Sequence, residues 1–296
     1  MSPILLRLST VRGGQLIGTK ARFVSRLTGN GVPMDNHLER RASIQSIDRA
    51  AAILRLLASG PREHGVSELA DRLGLARPTV HGLLQTLLFN GFVEKDRHSD
   101  KYQLGTSMLQ FGYSYLDRNE LRSRSIGHAD HLANRTGMAV RVVVRHEASA
   151  VVIHHILRPA ATFQTLEIGL QLPLHASAVG KAILAFLPVS ESRDFLAGSQ
   201  PRLTKHTATA ASLRTEIKVI RESALATERD EAVLGESSLA APIFDHAGNV
   251  IGAIGVVDAT EVIFPRGIAK GRAAAVLEAA RGISRELRAT HWPPPT

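Results

Sequence analysis

Apolar positions recur with a helical period over residues 66–89 and then switch to short strand-like runs, and this change organises the first third of the chain. Leu69, Ala70 and Leu73 give one apolar side to a short helix. Ser67 stands where its hydroxyl can cap that helix, and Gly74 supplies the left-handed residue that ends one. A second helix is predicted to open near Ala76, with Pro78 tolerated in its first turn. Val80, Leu83, Leu84 and Leu87 fall at i, i+3, i+4 and i+7, a single buried stripe. Asn90-Gly91 closes the helix and Phe92 folds back on it. Two helices joined by so short a glycine turn read as a helix-turn-helix. Phe92–Lys95 and Lys101–Leu104, separated by the polar turn Asp96–Asp100, add a two-stranded wing. Upstream, Ile47, Ala50, Ala51, Leu54, Leu57 and Ala58 predict a helix that completes a three-helix core and stops at Gly60-Pro61.

Beyond the wing, Met108, Leu109, Phe111, Gly112, Tyr115 and Leu116 predict a linker helix continuing to Leu121, with an apolar side suited to pairing with its own copy. A second helix follows to Gly137, with Ile126, Ala129, Leu132 and Ala133 inward. The period then falls to two. Ala139–Arg145 and Ala150–Leu157 predict a hairpin turning at His146-Glu147, and Phe163–Ile168 is a further candidate strand. Ala176–Leu187 and Leu213–Ala226 predict helices, and Leu239–Asp245 and Val250–Val257 a hairpin across His246–Asn249. Arg266–Arg288 is a long closing helix. The fold class is α+β, with an antiparallel sheet and helices expected on one side of it. The expected segments are 1–42 (flexible basic extension), 43–104 (winged helix-turn-helix), 105–120 (linker helix), 121–290 (sensor-like domain) and 291–296 (tail).

Composition narrows the chemistry. The 296 residues contain no cysteine, which excludes disulfides, thiol nucleophiles and thiolate metal sites and suits a reducing cytoplasm. No apolar run is long enough to span a bilayer, so no membrane partner is expected. The net charge of +9 suggests a polyanionic partner, but Arg7, Arg12, Lys20, Arg22 and Arg26 supply five of it within residues 1–33, which hold no acid. That stretch lacks the apolar core of a signal peptide and reads as a basic arm, or as an over-long gene start with Met34 the initiator. The sign that this partner is DNA therefore lies in one helix face, not in the total charge. Between Leu73 and Val93 there is no carboxylate. Arg77, Thr79, His81, Gln85 and Thr86 lie around the face opposite the apolar stripe, and Arg97, His98 and Lys101 sit at the wing for phosphate. Glutamine can pair with adenine and arginine with guanine or phosphate. Gly82, in the middle of this face, either lets the helix sit deep in the major groove or is a tolerated imperfection.

No GxGxxG, Walker or GxSxG motif occurs, and no cofactor is expected. In the first hairpin, alternation places His154 and Arg158 on one face and His155 on the other. His154 and Arg158 either grip an anionic ligand or are strand residues with no ligand. A metal site is not expected, since adjacent strand histidines diverge and no third ligand is evident.

Four stretches carry a resemblance: SIQSIDRAAAILRLL at 43–57, the winged helix at 66–104, LPLHASAVGKAILAFLP at 172–188 and LAAPIFDHAGNVIGAIGV at 239–256. The chain resembles IclR-type bacterial transcription regulators over residues 43–288. Within that family, YLDRNELRSRS at 115–125, VIHHILRP at 152–159 and QTLEIG at 164–169 look most like glycerol-operon regulators of actinomycetes. The resemblance implies a homodimer or homotetramer on double-stranded, partly palindromic operator DNA, and a GAF-like effector domain. Ala178 and Val179 would form the floor of its pocket, joined by Gln164, Leu172, Glu228, Ser238, Gly255 and Val257. The implied effector is glycerol 3-phosphate or glycerol, with an aromatic or short organic acid as the alternative. By position in the chain, His175 reads either as a cap on the 176–187 helix or as a ligand contact, and Lys181, one turn in, reads as solvated. Where many relatives carry a long basic residue, this chain has Gly82, which leaves the operator unread.

Repression of a catabolic operon is the leading expectation, with activation the alternative. An enzyme with a DNA-binding appendage competes with it, but Ser177, His175 and Asp230 show no triad spacing and no catalytic residue is assigned. A purely architectural DNA binder would not need the second domain.

Overall fold

The computed structural model describes residues 44–59, 61, 63–158, 164–265, 267 and 269–293. The basic extension, Gly60, Phe163 and Arg266 lie outside the described residues. The chain divides into two compact units, Met1–Tyr113 and Ser114–Thr296.

The first unit contains α1 (Gln45–Ala58), α2 (Val66–Leu73), α3 (Arg77–Phe89) and a ribbon of β1 (Val93–Lys95) and β2 (Tyr102–Leu104). Ile53, Leu57, Leu69, Ala70, Val80, Leu84, Leu87, Val93 and Tyr102 form its core. The expected stripe of α3 is therefore the buried one. On α1 the line shifts: Ile47 is 62% exposed and Ala58 is exposed, while Ile53 is sealed. Residues 44–48 are all exposed, so the first turn of α1 projects past the core. Gly74 ends α2 at φ 62°, and Ala76 precedes α3 with Pro78 in its first turn. Ser67 is not the cap of α2; Gly65 holds that position and Ser67 lies inside the helix. The ribbon pairs Val93 with Leu104 and Lys95 with Tyr102. His64 extends it, exchanging backbone hydrogen bonds with Tyr102 at 3.0 and 2.9 Å. The linker helix α4 spans Ser107–Asp117. The Glu94 carboxylate accepts the Thr106 N–H just before it, and the Phe92 and Phe111 rings meet edge to face at 5.7 Å.

The helix does not continue to Leu121. It stops at Asp117, and Asn119 caps a new helix, α5 (Glu120–Thr136), by accepting the Arg122 N–H. Gly137 closes α5 at φ 69°. Ile126 is 38% exposed, and Ser125 takes the inward place because its hydroxyl bonds the Leu121 carbonyl at 2.6 Å. The second unit continues with β3 (Ala139–His146), β4 (Ser149–Ile156), β5 (Gln171–Pro173), α6 (Ala178–Ala185), α7 (Val189–Ala197), α8 (Ala210–Ser223), β6 (Ala226–Arg229), β7 (Glu236–Phe244), β8 (Val250–Ala259), α9 (Thr260–Ile263) and α10 (Lys270–Glu286). The six strands form one antiparallel sheet in the order β5-β4-β3-β8-β7-β6.

Both expected hairpins are present, but residues 164–168 are not a strand; β5 follows them instead. The strand β6 and helices α7 and α9 carried no periodic signal of their own. The closing helix begins at Lys270. Helices cover both faces of the sheet, not one. Val140, Val142, Ile153, Leu239, Ala241, Ile243, Ile254 and Val256 pack with residues of α5 and α10. Val143, Ala150, Val152, Ala240 and Ala253 pack with α6 and α8. Strands such as β7, with eight consecutive buried residues from Ser237, have no solvent face to leave bare.

Candidate functional site

In the first unit, α3 turns Arg77, Pro78, His81, Gly82, Gln85, Thr86 and Phe89 to solvent, with Thr79 half-buried. A Cβ added at Gly82 would meet nothing within 4 Å, so no neighbour among the described residues requires glycine there. Thr86 spends its hydroxyl on the Gly82 carbonyl at 3.1 Å, which removes its donor from the reading set. Gln85 donates through Nε2 to the Tyr102 hydroxyl at 3.2 Å. Arg97, His98 and Lys101 are exposed at the ribbon. The turn between them is ordered by Asp96, whose carboxylate accepts the N–H groups of His98 (3.0 Å) and Ser99 (2.6 Å).

In the second unit, the register puts Glu228, Ser238 and Val257 side by side, and Gly255, Arg141 and His155 in the next row on the same face. This is the face covered by α6, where Leu172, Ala178 and Val179 are buried. Ser238 donates to Glu228 Oε2 at 2.8 Å, and Glu228 Oε1 accepts the Glu231 N–H at 2.8 Å. Burial outweighs these bonds and pushes the Glu228 carboxyl up to about 7. Beside it, Arg141 is held by Glu167 at 2.6 Å and Glu236 at 3.0 Å. Burial works against the Arg141 charge, but the two carboxylates outweigh it and hold the guanidinium above its usual range. His155 Nδ1 accepts the Glu167 N–H at 3.1 Å, which leaves Nε2 to carry the proton, 3.6 Å from the Glu167 carboxylate. A charged residue in the middle of the apolar run AVRVVV was the available sign of Arg141.

His154 and Arg158 are separated from this group. His154 pairs with Val142, on the α5 and α10 side of the sheet. Burial and the nearby Arg122 push its imidazole down. Arg158 pairs with Asp258 at 2.6 Å. Gln164 closes on the Arg158 backbone, accepting its N–H at 2.7 Å and donating to its carbonyl at 2.9 Å. Gly255 is no open wall either: an added Cβ would lie 2.6 Å from the Leu239 carbonyl oxygen. A cavity of about 260 Å³ opens between the end of α7 and the start of α8, at Gln200, Arg202 and Thr209, and none of the expected effector residues lines it.

The entry of α6 is organised by Ser177, not His175. Ser177 Oγ accepts the Gly180 N–H at 3.1 Å and donates to the Pro173 carbonyl at 2.7 Å. Gly180 is needed for this approach, since a Cβ there would lie 2.5 Å from Leu174 Cα. His175 donates from Nε2 to the Pro201 carbonyl at 2.9 Å. Lys181 is fully buried, not solvated, and reaches Glu216 and Glu231 at 2.7 Å each. Its position one turn into an otherwise apolar helix gave no warning of that pairing. No group of three or more potential metal-ligating side chains occurs among the described residues, and no helix among them is long and apolar enough to cross a membrane.

Comparison with known proteins bears on both units. Residues 46–97 match the IclR helix-turn-helix domain, and residues 113–285 match the C-terminal domain of bacterial transcriptional regulators of the IclR type. The chain is 42% identical over 249 residues to the glycerol operon regulatory protein of Streptomyces griseus, covering 83% of this chain and 98% of that one. The fold is similar to an IclR transcriptional regulator from Alicyclobacillus acidocaldarius (TM-score 0.74, 24% identity, 83% of this chain and 98% of that one). It is also similar to an IclR homolog from Microbacterium hydrocarbonoxydans complexed with 4-hydroxybenzoate (TM-score 0.70, 20% identity, 82% of this chain and 99% of that one).

Proposed function

The chain belongs to the IclR family of bacterial transcriptional regulators, and from that premise we propose that it represses a glycerol-use operon until a small effector releases it. It is a regulator and not an enzyme. The observation that carries the DNA-binding part is the exposed, acid-free face of α3 beside a wing bearing Arg97 and Lys101. Arg77, Arg97 and Lys101 serve phosphates, and His81 and Gln85 face base edges. The linker helix leaves Leu109 76%, Phe111 59%, Tyr113 66% and Tyr115 56% exposed. A second copy covers the side that Leu109 and Tyr113 share at i and i+4, which gives a homodimer or homotetramer on a palindromic operator in the cytoplasm.

The effector reading rests on the α6 face of the sheet, with Glu228, Ser238, Val257, Leu172, Ala178 and Val179 as its lining. The likeness to the Streptomyces griseus protein supports an effector from glycerol breakdown. The charges support glycerol over glycerol 3-phosphate. Arg141 is already paired to two carboxylates and Lys181 to two others, while Glu228 adds a fifth acidic group that a phosphate would have to approach. Hydroxyl groups can bond Glu228 and Ser238 without a counter-charge.

The test is operator binding by the full chain on the DNA upstream of its own operon, titrated with glycerol, glycerol 3-phosphate and 4-hydroxybenzoate. Release by glycerol alone is the expected result. Binding that no compound changes would overturn the effector reading, release by glycerol 3-phosphate alone would overturn the choice of glycerol, and tighter binding with glycerol would overturn release as the mode of control.

A further inference from the structure

Tyr102 is held in place twice, by its backbone and by its ring. Its backbone lies opposite Lys95 in the ribbon and exchanges both of its hydrogen bonds with His64. Its ring is 1% exposed, within the core formed by α1, α2 and α3. The side chain is thus fixed in place, yet its hydroxyl emerges at α3 and takes the Gln85 Nε2 donor at 3.2 Å. Gln85 itself is exposed on the face proposed to enter the groove.

We propose that Tyr102 is a positioning residue for base reading: it holds the Gln85 amide in the orientation that reads adenine before DNA arrives. A glutamine amide has two N–H donors and one carbonyl acceptor. With one N–H spent on Tyr102, the other N–H and the carbonyl oxygen remain. Those are the two groups that pair with N7 and N6 of adenine. A free glutamine would have to lose its rotamer freedom on binding and could present its amide either way round. The anchored one has a fixed plane. Thr86, its neighbour, has its hydroxyl turned back on the helix, so Gln85 is the polar side chain of this turn left to discriminate bases. The proposal rests on the assignment of α3 as the reading helix.

The test is Tyr102→Phe in the full chain, which removes one oxygen and keeps the ring. Binding is measured on the operator, on single-base variants of it and on random DNA across a salt series. The expected result is an operator affinity lower by about 3- to 10-fold, the range of one hydrogen bond. Random-DNA affinity and salt slope should stay unchanged. The lost discrimination should fall at the base pair that Gln85→Ala also ceases to read, and Tyr102→Phe should add nothing in the Gln85→Ala background. That background also separates positioning from folding, because a merely structural tyrosine would weaken binding there too. Equal losses on operator and random DNA, full discrimination retained at that base pair, or additive losses would each overturn the proposal. A wild-type chain with no base preference would instead overturn the assignment of α3.

Discussion

The Lys181 ammonium lies 2.7 Å from the Glu231 carboxylate with no side-chain surface exposed, inside a helix otherwise built of small and aliphatic residues. Glu216 on α8 supplies a second carboxylate at the same distance. Glu231 Oε2 has no partner of its own, so Lys181 is the main compensation for a buried charge. Lys181→Ala is expected to lower stability by about 3–5 kcal/mol, the cost of stranding one member of a buried pair. Chemical denaturation of the variant checks this. A loss under about 1 kcal/mol would mean that Glu231 is satisfied without it.

Glu228 makes stability depend on pH near neutrality. Burial pushes its carboxyl up to about 7, from an ordinary value of 4.5. The folded chain then holds a proton that the unfolded chain releases. The resulting stabilisation is fully present below pH 4.5, and it declines as pH rises through about 7. The decline runs at up to about 1.4 kcal/mol per pH unit while only the folded state is protonated. Glu228→Gln removes this dependence. Its melting temperature should match the wild type near the acid end and exceed it above neutrality. Parallel melting curves for the two proteins across that range would show that Glu228 titrates normally.

Gly82 separates stability from recognition. It lies in the middle of α3 with open space where a Cβ would stand. Gly82→Ala should stabilise the first unit by about 0.5–1 kcal/mol through helix propensity. The same methyl group should weaken operator binding if DNA approaches the helix backbone at this point. Thermal melting and operator titration of one variant read both effects. Higher stability with unchanged affinity would make Gly82 a tolerated imperfection.

Arg77 and Arg158 should behave in opposite ways. Arg77 opens α3 and is exposed. Arg77→Ala is expected to weaken operator and random DNA alike and to reduce the salt slope by about 1. Arg158 is tied to Asp258, whose side chain is 6% exposed. Arg158→Ala should leave the Asp258 carboxylate uncompensated and lower the melting temperature while the effector response is kept. An abolished response in a stable variant would return Arg158 to the effector site.

The first unit was legible because its signals are local. A period of 3.6 in Val80, Leu83, Leu84 and Leu87, a glycine at position 74 and a proline at 78 each act within one or two turns of chain. Their spacing alone determined the two helices and the wing that follow, and the alternating runs determined both hairpins of the sheet. What side chains do across the fold was decided by tertiary structure. Gln85 meets Tyr102 across 17 residues, Lys181 meets Glu231 across 50, and Arg141 meets Glu236 across 95. No periodicity reaches that far. Alternation alone could say that His154 and His155 part ways, but not which of them turns toward α6. That choice belongs to the packing of helices on both faces of the sheet, because only the finished layers say which side of a strand is which.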